Sequence, residues 1–114
     1  MNTKVIVLKK IAGGHQGELC VELGDGISVS VDYMRRQDPN FGTVEASIRS
    51  HLFEGSPPLK DETRLLTGIN FRKQFDTVSE ADENVLSFLK KRVGIDLQIV
   101  TVIHGEEKVS KDVH

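Results

Sequence analysis

The chain reads as an α+β domain: a mostly antiparallel sheet of about five strands with two helices packed on one face. Three observations lead there. Runs of alternating apolar and polar residues recur, most clearly between Leu19 and Tyr33. A helix between Thr77 and Gly94 is marked at both ends. Strands outnumber helices, and the breaks between them are short, as hairpins require.

Taken in order, Val5-Ile6-Val7-Leu8 is a β-branched apolar run bounded by lysines, which predicts a strand buried on both faces. A glycine-rich connection, residues 11–17, follows. Leu19, Val21 and Leu23 alternate with Glu18, Cys20 and Glu22, and Gly24-Asp25-Gly26 signals a reversal. Ile27, Val29, Val31 and Tyr33 then alternate with Ser28, Ser30 and Asp32, so residues 18–33 predict a hairpin with one solvated face. Met34 to Gly42 reads as a loop turning at Asp38-Pro39-Asn40.

Thr43 can cap a short helix whose Val44, Ile48 and Leu52 share a stripe and which ends at Gly55. Ser56-Pro57-Pro58 blocks its continuation. Residues 59–68 fit a helical turn or a strand equally, whereas Ile69, Phe71, Lys73 and Phe75 alternate as a strand does. In the second helix Ser79 is the expected cap, with Asp82 reaching back to it. Ala81, Val85, Leu89 and Val93 form its apolar stripe, acids open it, Lys90, Lys91 and Arg92 close it, and Gly94 stops it. Residues 95–104 form the last strand. This strand and the first are the most continuously apolar, so both are expected near the sheet centre. The domain spans residues 1–104, and 105–114 is a polar tail expected to fray.

A chain of 114 residues is long enough to bury one core without staples. Net charge is −2, and each half carries one more acid than base: six Lys/Arg against seven Asp/Glu in residues 1–57, nine against ten in 58–114. That balance argues against general nucleic-acid binding. A single cysteine excludes an internal disulfide framework, and Cys20, between two apolar residues, is expected to be a small buried or half-buried side chain. The apolar run at Val5 is far too short for a signal peptide or a membrane span, so a cytoplasmic protein is expected.

Catalytic and cofactor signals are absent from the pattern. The glycine-rich stretch leads into a strand, not into the helix N-terminus that a phosphate cradle needs, and it lacks the Walker lysine. His15, His51, His104 and His114 lack metal-ligand spacing, so no metal and no cofactor are expected. No nucleophile elbow occurs. An enzyme is therefore not the leading expectation. The composition of Met34-Arg35-Arg36-Gln37-Asp38-Pro39-Asn40-Phe41, two arginines near an aromatic, is that of a recognition patch. Arg72 adds charge if its strand lies near, and His15 stands at an exposed tip.

Two functions follow. The first is a small non-enzymatic interaction module (an adaptor, an inhibitor or an oligomer subunit) that meets another protein or a second copy of itself through an exposed loop or sheet edge, with Arg35, Arg36, Phe41, Arg72 and His15 as the contact residues. The second is a domain binding a small anionic ligand or nucleotide at the arginines, with chemistry on that ligand as an extension.

Overall fold

A computed structural model describes residues 4–54 and 64–102. Six strands and one helix follow in the order β1 (Lys4–Ile11), β2 (Gly14–Gly24), β3 (Ile27–Asp38), β4 (Thr43–Glu54), β5 (Arg64–Phe75), α1 (Val78–Arg92) and β6 (Leu97–Thr101). They build one mixed sheet in the order β5-β4-β3-β2-β1-β6, antiparallel throughout except where β6 lies parallel to β1. The expected sheet of about five strands with two helices is thus corrected, among the described residues, to six strands and one helix.

The missing helix is β4. Val44, Ile48 and Leu52 are spaced by four, and four is close to one helical turn but also two periods of a strand. The strand period wins because Ala46 and Ser50, the positions between, are also buried. Residues 34–38, read as loop, continue β3, and the turn falls at residues 39–42 as the Asp38-Pro39-Asn40 signal requires. Of the ambiguous residues 59–68, those from Arg64 belong to β5, and the others lie outside the described residues, as does the expected tail.

β1 is not at the centre. Its end, Lys9–Ile11, pairs with β2, while Lys4–Leu8 pairs with β6, an edge strand. The two halves therefore have different neighbours, and Val5 (41%) and Val7 (37%) are exposed where burial on both faces was expected. Gly17 sits where β1 and β2 part: a Cβ there would collide with the Val7 carbonyl and the Leu8 side chain. Gly14 is likewise without room, pressed against the main chain of Arg35. The glycine-rich stretch thus permits close strand approach.

Alternation sorts the side chains of β3 and β4 cleanly. Val29, Val31, Tyr33 and Arg35 face the same side as Ala46, Ile48 and Ser50, and all are buried. This face joins Ile6, Leu8, Val21 and Phe75 in one apolar cluster with Ala81, Val85 and Leu89 of α1. Each large aliphatic buried there contributes about 1.5–3 kcal/mol. The helix starts two residues earlier than expected: Thr77 is the cap, its hydroxyl accepting from the Glu80 N–H at 3.1 Å, while Glu80 accepts from the Asp76 N–H at 3.2 Å. Gly94, at φ 85°, ends it, donating to the Leu89 carbonyl at 2.9 Å. Among the described residues no helix is long and apolar enough to cross a membrane.

Candidate functional site

The end of the sheet that carries the β1–β2 turn, the β3–β4 turn and the start of α1 holds an open cleft of about 550 Å³. Its inner wall is a row of basic side chains. Lys10 of β1 is the register partner of His15 on β2, and His15 is the partner of Arg35 on β3. Partners across a strand pair share a face, so three basic side chains stand side by side. Local hydrogen bonds hold the frame. The Gln37 N–H donates to the Gly13 carbonyl (3.0 Å), tying the first turn to β3. The second turn is closed by the Gly42 N–H on the Asp38 carbonyl (2.8 Å) and the Asn40 N–H on the Asp38 carboxylate (2.9 Å). Asp38 and Asp76 line the outer part.

Arg35 is 4% exposed and fully engaged. One guanidinium nitrogen donates to both oxygens of Asp82 on α1 (2.7 and 2.8 Å), and the other to Thr101 Oγ1 on β6 (3.0 Å). Tyr33 donates its hydroxyl to the same Asp82 oxygen at 2.7 Å. Burial raises the Tyr33 phenol well above its ordinary value, with the Asp82 hydrogen bond and charge adding to the rise. These contacts pin α1 to the sheet and to β6, so Asp82, which the sequence assigned to a capping box, instead neutralises a buried cation.

Lys10 makes no ion pair among the described residues. His15 is held below its ordinary value near 6.5, first by desolvation and then by the Arg35 and Lys10 charges, while a hydrogen bond with the Val102 main chain pulls the other way. Its Nε2 is buried without a partner. Thr43, whose hydroxyl is likewise without one, borders the cleft, but alternation sets its side chain with Glu45 on the other face of the sheet.

The other expected contact residues do not converge on this cleft. Arg36 and Arg72 lie on the opposite face of the sheet, on either side of Glu45: Arg36 is its register partner on β3, and Arg72 Nε bonds Glu45 Oε2 at 2.9 Å. They do share one patch, with an acid at its centre. Phe41, at the tip of the second turn, is 78% exposed. His15 is partly buried instead of standing at an exposed tip. Cys20 is exposed, and Glu22 adds to desolvation in raising its thiol. Cys20, Ser30 and His51 form a cross-strand row, but Ser30 separates the other two by two strand spacings, about 10 Å. His51 leans over Gly68 instead. No group of three or more metal-ligating side chains converges among the described residues.

Lys10 was not singled out from the sequence, and Thr43 only as the cap of the helix that proved to be β4. The signal for Lys10 was available only through register, because its two basic neighbours are brought beside it by strand pairing. No protein-family model, curated protein or solved structure matches the chain.

Proposed function

We propose that the protein is a non-enzymatic assembly subunit that pairs with a second copy of itself along the outer edge of β5. The observation that carries this reading is the length of that edge: twelve residues, with no strand beside it among the described residues. Soluble proteins keep exposed edges short or covered, because unpaired amides and carbonyls template another strand. β6, the other edge, has five residues and follows that practice.

The side chains of β5 suit a copy of themselves. Antiparallel pairing about Asn70 sets Phe71 against Ile69, Arg72 against Gly68 and Lys73 against Thr67. No like charges are opposed, and the aromatic meets a β-branched residue. Leu65 (56% exposed) and Leu66 (43%) at one end of the edge gain cover in such a pair. Phe41 projects from the turn leading into β4, the neighbour of β5, and supplies an apolar anchor at the other end.

Native mass spectrometry with amide hydrogen exchange at two protein concentrations tests this. The expected result is twice the 12.7 kDa chain mass, with alternate β5 amides slowing as concentration rises. A single-chain mass at high concentration, with those alternate amides exchanging at loop rates, rejects the reading.

A further inference from the structure

We propose that the cleft between the two turns binds the oxyanion group of a small ligand, a phosphate or a carboxylate, between Lys10 and His15, with the Arg35 charge behind them. Three features of the molecule support this site. Lys10, His15 and Arg35 occupy consecutive cross-strand positions on one face, so two fixed positive charges flank an imidazole, and a protonated His15 between them is destabilising unless something negative joins it. Asp82 is no counter-charge for Lys10 or His15: both of its oxygens accept from the Arg35 guanidinium and one also from the Tyr33 hydroxyl. His15 Nε2 is a buried polar atom without a partner in a cleft large enough for a small molecule.

The mode of binding follows from the histidine. With its proton at Val102, neutral His15 offers Nε2 only as an acceptor, which an oxyanion cannot use. Protonated, it becomes a charge-assisted donor. Binding of the anion therefore takes up a proton, and affinity falls as pH rises. The groups facing His15 are Lys10 on β1, Arg35 on β3 with Asp82 behind it on α1, the Val102 main chain after β6, and the rim acids Asp38 and Asp76. The free imidazole is less basic than usual first because it is desolvated, and then because Arg35 and Lys10 are near; an anion between them offsets the second cause.

The test is a titration with sodium sulfate at constant ionic strength, followed by backbone amide and histidine-ring chemical shifts, with sodium acetate as a second probe. Sulfate is expected to saturate shifts at Lys10, Gly13, Gly14 and the His15 ring. Its affinity is expected to fall up to about tenfold per pH unit between pH 6 and 8, the slope of one linked proton. Lys10→Ala should weaken binding about three- to tenfold, and Asp76→Asn should tighten it. These opposite signs separate a binding site from a structural disturbance, and both side chains are exposed enough for the fold to survive. Sulfate binding more tightly than acetate assigns a phosphate-bearing ligand, and the reverse assigns a carboxylate. Shifts that grow linearly with salt, affinity unaltered by Lys10→Ala, or affinity independent of pH overturns the proposal.

Discussion

On one side of the sheet β3 and β4 present Val29, Val31, Tyr33 and Ile48 to the helix; on the other the same strands set Asp32 against Arg49 and Arg36 against Glu45. A single register positions both sets, yet the two faces obey different energetics. Beneath α1 water is excluded, and the Tyr33–Arg35–Asp82–Thr101 network provides a partner for each of its members, whereas Ser50 on the same face keeps a buried hydroxyl without one. On the outer face the Arg72–Glu45 ion pair is bathed in solvent, where such a pair contributes about 0–1 kcal/mol. Stability therefore resides on one side of the sheet, and freedom to vary on the other.

Several substitutions would break or sharpen that contrast. The largest effect is expected from Asp82→Ala, which leaves Arg35 buried without its counter-charge: a loss of about 3–5 kcal/mol in chemical denaturation. A loss under 1 kcal/mol would mean that water reaches the guanidinium and that the helix-covered face is wetter than described. Leu89→Ala, at the centre of the helix contact, should cost about 2–5 kcal/mol. The buried Ser50 hydroxyl has no partner, so Ser50→Ala should raise stability by about 1 kcal/mol, and a decrease would reveal a hydrogen bond to that oxygen. Arg72→Ala removes an outer-face pair whose arginine is 73% exposed and should move the unfolding midpoint within error, under about 0.5 kcal/mol.

A pH experiment distinguishes the faces further. His15 is held below its unfolded value near 6.5, so its contribution to stability is present above that pH and is lost as pH falls through the lowered folded value. His15→Gln should flatten the stability profile on the acid side of pH 6.5, measured as the thermal midpoint in a sulfate-free buffer. An unchanged profile would place the proton-linked loss elsewhere.

Much of the helix was legible in the sequence, because its stripe, basic last turn and Gly94 stop agree with one another. The hairpin at residues 18–33 was equally clear, since Gly24-Asp25-Gly26 interrupts a strict alternation. β4 was misread because Val44, Ile48 and Leu52 fit both periods, and only the burial of Ala46 and Ser50 decides between them. The cleft was illegible for another reason. Lys10, His15 and Arg35 are far apart in sequence and meet through strand register, which no local pattern encodes. Arg35 and Arg36, adjacent and chemically alike, end on opposite faces because successive side chains of a strand point opposite ways. Composition marked the pair as interesting, but alternation gave one arginine to the core and left the other in water.

The parallel pairing of β1 with β6 joins segments from opposite ends of the described fold, Lys4 lying beside Leu97. On the ribosome this imposes an order. At about 5–20 residues per second, the meander from β1 to β5 is made whole seconds before α1 and β6 emerge. In that interval Ile6, Leu8, Val31, Tyr33 and Ile48 have no helix over them, Arg35 has no Asp82, and the flank of β1 that later receives β6 is unpaired. The nascent meander is thus an adhesive surface with an unanswered charge in it.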